Sequence, residues 1–151
     1  MSLLIALHVL SAVIWVGGMF FAYMALRPVA ASLLEPPHRL NLWAQVFQRF
    51  FPWVWLAVIL LLVTGLWMMF GYFGGMAHAP KYLHVMMGIG ILMMLIFFHV
   101  YFAPFRRLKQ AVAAQDWQTG GAKLGQIRKL IGLNLLLGLV VVIIAAGGRF
   151  W

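Results

Sequence analysis

The chain has 151 residues, of which 66% are hydrophobic and only 9% are charged. A soluble domain is about half apolar and about a quarter charged, so this composition excludes a soluble globular domain and a disordered chain. There is no cysteine, which excludes a disulfide scaffold and thiolate metal sites. Eleven basic residues against two acidic ones give a formal net charge of +9, whose meaning depends on where the charges lie. Most of the surface must therefore face lipid.

Four apolar stretches are long enough to cross a bilayer, which takes about 20 residues. They are residues 3–26, 51–73, 82–102 and 130–148. None of them contains Asp, Glu, Lys or Arg. Because lipid offers no partner for a free backbone amide, each span must be a helix. The sequence therefore predicts an all-α integral membrane four-helix bundle, with residues 1–151 forming a single transmembrane domain.

The segments between the spans have helical patterns of their own. After the break at Glu35-Pro36-Pro37, apolar residues recur at helical spacing over residues 39–50, which predicts a short helix lying in the membrane interface. The stretch 105–129 predicts an extension of the third helix, a turn and a run-in to the fourth helix, with a break at Gly120-Gly121.

The basic residues are concentrated in the first and third connections, while the opposite side has only Lys81 and Arg149. The nine concentrated residues are Arg27, Arg39, Arg49, Arg106, Arg107, Lys109, Lys123, Arg128 and Lys129. By the positive-inside rule these connections are cytoplasmic, so both termini lie on the non-cytoplasmic side. Topology and attraction to anionic lipid then explain the net charge, with no nucleic-acid partner. The predicted location is the bacterial inner membrane, as a multi-pass protein.

Ionisable groups inside a bilayer are costly and are therefore candidates for function. The spans hold His8, His84 and His99. With the first and third helices entering from the same side, His8 lies about 8 Å deep and His84 about 5 Å deep, at about 1.5 Å per residue. Two imidazoles at one level are what a haem iron or a copper ion needs. His99 lies about 22 Å further along the third helix and cannot join the same centre.

Small residues one turn from each histidine leave space for a flat ligand, and these include Ser11 and Gly88. Close helix packing in lipid is the alternative explanation for such residues. Trp15 lies two turns from His8 on the same face, where it either forms the wall of a cofactor cavity or simply packs. These observations favour haem b held between His8 and His84, in a protein that transfers electrons.

Methionines favour a second hypothesis. Met68, Met69 and Met76 lie near the outer end of the second helix, and His78 lies in the adjacent loop. With His8 and His84 they would form a soft site suited to Cu(I). Methionine is also an ordinary lipid-facing or gap-filling residue, so this set alone does not require a metal.

His99 precedes Arg106 and Arg107 at the cytoplasmic boundary. This group suits a proton relay, a ligand for a second cofactor, or an anchor for a carboxylate-bearing substrate, with haem propionates and quinone head groups as partners. The alternative is a cluster of basic side chains that reach towards the interface. No Ser-His-Asp set, phosphate loop or carboxylate pair is present, so hydrolase and kinase functions have no support.

The first helix contains Leu7-His8-Val9 and then Trp15-Val16-Gly17-Gly18-Met19. These motifs resemble the opening helix of the copper resistance D family of bacterial inner-membrane proteins. The same spacing of His and Trp resembles HemJ-type protoporphyrinogen oxidases. The later motifs that resemble the HemJ type are Thr64-Gly65-Leu66-Trp67, Leu83-His84-Val85, His99 and Arg106-Arg107. The resemblance covers most of residues 5–109 and implies a small helical membrane protein that handles haem or copper.

Two departures from the HemJ pattern speak against protoporphyrinogen oxidation itself: Met86 replaces a lysine, and Asn134 is followed by Leu135-Leu136 in place of an Asn-Glu-x-Pro motif. Three hypotheses remain. The first is a haem b protein, and by extension a membrane oxidoreductase, working between quinone and a periplasmic partner. The second is a copper-uptake or copper-tolerance protein. The third is a structural subunit with no cofactor, and the oligomeric state is left open in each.

Overall fold

The computed structural model describes all 151 residues and consists of four long helices with short connections. Helix α1 spans Ser2–Leu33, α2 spans Pro36–Tyr72, α3 spans Lys81–Ala113 and α4 spans Trp117–Phe150. Each is long and apolar enough to cross a membrane, and there is no strand. The predicted all-α fold with four membrane-crossing helices is confirmed. The side of the membrane on which the termini lie stays a prediction.

Helix α2 begins earlier in the chain than the sequence analysis predicted. The prolines at its first turn are tolerated, because the first backbone N–H groups of a helix have no partner within the helix. Residues 39–50, predicted as a separate short helix, instead form the first part of α2 without a break. The helix also continues through Pro52. The 37 residues of α2 extend about 55 Å, which exceeds the roughly 30 Å of the hydrocarbon core.

Helix α3 bends where a proline follows Ala103. The segment Lys81–Phe102 ends there, and Pro104–Ala113 begins with a proline in its first turn. This is expected because the residue before a proline is disfavoured in the helical conformation. Ala103 has φ −114° and ψ −89°, outside the helical region, while the chain is helical on either side.

The connection between α3 and α4 corrects the predicted break at Gly120-Gly121. The turn lies at Gln115, which has a positive φ of 55°, and at Asp116, whose carboxylate accepts a hydrogen bond from the Thr119 backbone N–H. Both glycines lie inside α4. Gly120 is closely packed, because a Cβ there would lie 3.2 Å from Leu40 Cδ1.

The helices form two antiparallel pairs, with α1 packed mainly along α2 and α3 along α4. Aromatic side chains fill the centre between the pairs. Phe51 of α2 meets Phe97 and Phe105 edge-on, with ring centroids 5.4 and 4.8 Å apart. Such pairs each contribute about 0.5–1.5 kcal/mol beyond the area they bury. Large apolar side chains are exposed along the outside of all four helices, as expected for a surface covered by lipid.

The two ends of the bundle differ in composition. We call the end with the α1–α2 and α3–α4 connections the basic end, because it carries nine of the eleven Lys and Arg residues. We call the other end, with both termini and the α2–α3 loop, the histidine end. His8, His78 and His84 belong to it.

Candidate functional site

His8 is connected to α2 by a hydrogen bond whose direction can be assigned. Its Nδ1 lies 2.7 Å from Thr64 Oγ1. The Thr64 hydroxyl has one hydrogen, which it donates to the Leu60 carbonyl oxygen at 2.5 Å. Thr64 Oγ1 therefore accepts, and His8 Nδ1 donates. A neutral imidazole has only one N–H, so Nε2 of His8 keeps its lone pair. Metal-binding histidines are oriented in this way, by a hydrogen bond from the ring nitrogen that does not bind.

The surroundings of His8 are small and polar on the α2 side. A Cβ built on Gly65 would lie 3.3 Å from His8 Cε1, so the absence of a side chain allows the ring to approach the helix. Thr64 is only 2% exposed, which makes its hydroxyl a buried partner. Ser11 is also buried, but it donates to the Leu7 carbonyl oxygen of its own helix at 2.7 Å. Ser11 therefore uses its one hydrogen within its own helix and makes no hydrogen bond to His8.

Two thioethers lie one helical turn from the residues that contact His8. Met68 follows Thr64 by four positions and Met69 follows Gly65 by four, so each shares a helix face with a neighbour of His8. Met69 is 4% exposed. Both belong to the π-helical segment Met68–Tyr72, and π-helical turns occur frequently at functional sites. The spacing brings soft sulfur donors to the part of α2 nearest His8.

His84 has both ring nitrogens engaged. Its Nδ1 lies 3.1 Å from the Pro80 carbonyl oxygen and its Nε2 lies 2.7 Å from the Met76 carbonyl oxygen. A carbonyl oxygen only accepts and a neutral imidazole has one N–H, so His84 donates to one of these oxygens, while the other oxygen lies against the second ring nitrogen. In this arrangement a carbonyl oxygen occupies the position that a metal ion would take at either nitrogen. The contacts join the α2–α3 loop to the first turn of α3. His84 therefore anchors this loop.

The loop itself holds the remaining histidine-end candidates. Met76 and His78 lie in a short 3₁₀ turn, and both are exposed. Gly74 and Gly75 precede this turn with positive φ values of 77° and 117°, which favour glycine. No three His, Asp or Glu side chains of the chain lie close enough together to hold a metal ion. A metal site at this end would need sulfur ligands.

The other residues singled out from the sequence lie apart from His8. Trp15 is buried and meets Phe97 edge-on, with ring centroids 6.2 Å apart, so it fills the centre of the bundle. Gly88 is exposed, and a Cβ there would meet nothing within 4 Å. His99, with Arg106 and Arg107, lies towards the basic end of α3, and all three are exposed. The structure does not bring them to the histidine-end site.

The fold and these contacts define a class: a four-helix membrane protein in which a half-buried imidazole of α1 is hydrogen-bonded to a buried hydroxyl of α2. The profile of the copper resistance protein D family matches residues 44–147, which is more than half of the chain. The chain therefore belongs to the copper resistance protein D family, and the predicted resemblance is confirmed. No curated protein and no solved structure matches the chain.

The family match bears on the three hypotheses. It supports the copper alternative, and it gives no support to haem b held between His8 and His84. The carbonyl contacts of His84 agree, because a haem ligand needs a free ring nitrogen. Thr64, Met68 and Met69 lie within the matched residues, and His8 precedes them.

Sequence reasoning missed the role of Thr64. The signal was present, because Thr64 is the only hydroxyl residue in the apolar stretch from Phe51 to Trp67. A lone hydroxyl in such a stretch usually bonds to its own helix, and Thr64 does donate to Leu60. Only the packing of α1 on α2 shows that the same oxygen also accepts from His8.

Proposed function

We propose that this protein handles copper in the membrane and that His8, with the methionines of α2, forms a binding site for Cu(I) as its cargo. The observation that carries the proposal is the hydrogen bond from His8 Nδ1 to Thr64. It leaves the lone pair of Nε2 free to bind a metal ion inside a span. Membership of the copper resistance protein D family supports the choice of metal.

The chemistry of the available donors suits a soft monovalent ion. Imidazole nitrogen and thioether sulfur bind Cu(I) well, whereas Mg²⁺ and Ca²⁺ require oxygen ligands. The spans contain no carboxylate and the chain contains no cysteine, so the charged ligands of oxygen-preferring cations and of thiolate-bound clusters are absent there. Neutral donors also add no charge of their own to be buried in lipid.

Each residue near the site has a distinct role in the proposal. His8 supplies the nitrogen, and Met68 and Met69 supply sulfur. Thr64 is a positioning residue that holds the His8 ring by accepting its Nδ1–H. Gly65 leaves space for the ring against α2. His84 holds the neighbouring loop in place through its two carbonyl contacts.

The test is Cu(I) binding by purified protein in detergent, measured by competition with a chromophoric Cu(I) chelator. We expect one Cu(I) per chain, lost in His8→Ala and weakened in Met68→Leu and Met69→Leu. The matched control is His99→Ala, because His99 is an exposed histidine of the spans and lies away from the site. Cu(I) binding by His8→Ala equal to that of the wild type would overturn the proposal. So would a Soret absorption band that disappears in His8→Ala, since His8 would then hold haem.

A further inference from the structure

We propose that the basic end contains a binding site for the phosphate head group of an anionic membrane lipid. The site is a cavity of about 380 Å³ between α1, α2 and α4. Three arginines line it, one from each helix: Arg27 of α1, Arg39 of α2 and Arg128 of α4. The proposal is independent of the copper site, which lies at the opposite end of the bundle.

The charge in this cavity is uncompensated. The chain has only two acidic residues, Glu35 and Asp116, and neither lines the cavity. Asp116 is engaged with the Thr119 backbone N–H at the start of α4. Three guanidinium groups around one cavity repel each other unless an anion lies between them. The arrangement therefore calls for a negatively charged ligand.

The arginines retain most of their hydrogen-bonding capacity. Arg27 donates from Nε to the Tyr23 carbonyl oxygen at 3.2 Å and lies over the Tyr23 ring at 4.5 Å, which orients the guanidinium. Arg39 donates from Nη1 to the Ala31 carbonyl oxygen at 3.4 Å. A guanidinium has five N–H donors in a planar fork that matches the oxygens of a phosphate.

The rest of the cavity is apolar, so the ligand must be amphiphilic. Trp43 and Leu40 of α2 and Leu124 of α4 contribute apolar walls. On α4, Gly121 and Gly125 also line the cavity, and a Cβ on either would meet nothing within 4 Å. The glycines leave open space along the α4 wall of the cavity.

The position of the cavity identifies the source of the ligand. Arg27 directly follows the apolar run of α1, and Arg128 lies just before the apolar run of α4. Both are therefore at the level of lipid head groups. A free phosphate ion would use the arginines but not the apolar walls. A phospholipid uses both, and basic pockets between membrane helices are a common way of binding anionic lipid.

The experiment is native mass spectrometry of the full chain in detergent, with phosphatidylglycerol, phosphatidylcholine or inorganic phosphate added. We expect one phosphatidylglycerol retained per chain, in preference to phosphatidylcholine. The variant Arg27→Gln/Arg39→Gln/Arg128→Gln should lower this affinity on the order of a hundredfold, since each basic residue near the head groups contributes roughly fivefold. The matched control is Arg106→Gln/Arg107→Gln/Lys129→Gln, which removes the same charge from exposed positions outside the cavity. That variant should keep the bound lipid.

A second variant tests the apolar part with all arginines present. Gly125→Leu should fill part of the cavity and displace the lipid, whereas Gly17→Leu, at another helical glycine with open space, should not. The proposed site would be overturned if Gly125→Leu and the triple arginine variant both bound lipid as tightly as the wild type. An equal loss in the control charge variant would assign the binding to diffuse surface charge. If inorganic phosphate displaced phosphatidylglycerol at equal concentration, the ligand of the site would be a free anion and not a lipid.

Discussion

The two ends of the bundle offer different polar groups, and depth in the membrane explains the difference. The histidine end places an imidazole and thioethers inside the spans, where the chain has no formal charge at all. The basic end places Arg27, Arg39 and Arg128 around a cavity at the limit of the apolar runs. Burying a charge costs much free energy within the hydrocarbon and little among the head groups. The neutral imidazole and thioethers therefore lie within the spans, and the charged guanidinium groups lie at the boundary.

A π-helical segment occurs at both ends of the bundle. Each candidate site includes residues of a π-helical segment, Ala22–Leu26 in α1 and Met68–Tyr72 in α2. The first contributes Tyr23 to the arginine-lined cavity, and the second holds Met68 and Met69. An extra residue in a helical turn rotates the side chains that follow it, which can direct a group towards a site.

The largest expected effect separates the two ends. His8→Ala should lower Cu(I) affinity by at least about a hundredfold, since losing a ligand costs more than the roughly 10–100-fold of losing an outer partner. It should leave phosphatidylglycerol binding unchanged. Arg27→Gln/Arg39→Gln/Arg128→Gln should show the reverse. Measuring both ligands on both variants makes the comparison direct, and a variant that loses both ligands would show that the ends are not separate sites.

The next effect concerns the hydrogen bond that orients His8. Thr64→Val keeps the shape of the side chain but removes the acceptor, so Cu(I) affinity should fall by about 10–100-fold. Thr64→Ser retains the hydroxyl and should restore most of the affinity. The measurement is the same chelator competition. A Thr64→Val protein with wild-type affinity would mean that the hydrogen bond does not prepare His8 for a metal.

A smaller effect is expected at the other buried hydrogen bond between helices. Asn134 of α4 donates from Nδ2 to the Met93 carbonyl oxygen of α3 at 3.0 Å, and its Oδ1 has no partner. Asn134→Leu should change the free energy of unfolding by only about 0.6 kcal/mol, the average for such bonds in membrane helices. Reversible unfolding in mixed micelles measures this value. Cu(I) affinity should stay the same, because this bond joins α3 to α4 and not α1 to α2.

The smallest effect is at the turn before α4. Hydrogen bonding with the Thr119 side chain, together with the hydrogen bond from the Thr119 backbone N–H, lowers the pKa of the Asp116 carboxyl below its ordinary value of 3.8. Its contribution to stability is therefore present above pH 3.8 and is lost as the pH falls through the lowered pKa. Helicity and thermal stability scanned from pH 5 to pH 2 should show this loss in the wild type. Asp116→Asn keeps a capping side chain without the titrating group, so its stability should lack this component.

Much of the fold follows from local properties of the chain. Four long apolar runs without charge are enough to require four helices, because backbone amides in lipid must be satisfied within each segment. His8 was also accessible from sequence, since an ionisable side chain in a span is costly enough to suggest a function. The residues at which the helices begin and end were harder to predict from the sequence. The turn before α4 depends on Asp116 and Gln115, whereas the more conspicuous pair Gly120-Gly121 lies inside α4, where Gly120 packs against Leu40.

The sequence by itself determined that this protein lies in the membrane, is built from four helices and belongs with the copper resistance protein D family. Only the tertiary structure decided which histidine has a free nitrogen. His8 and His84 look alike in their apolar runs, yet one donates to Thr64 of another helix and the other faces two loop carbonyls. It also brought together Arg27, Arg39 and Arg128, which are far apart in the chain. The reason is physical: composition and period decide whether a helix forms, but its partners depend on how helices pack against each other.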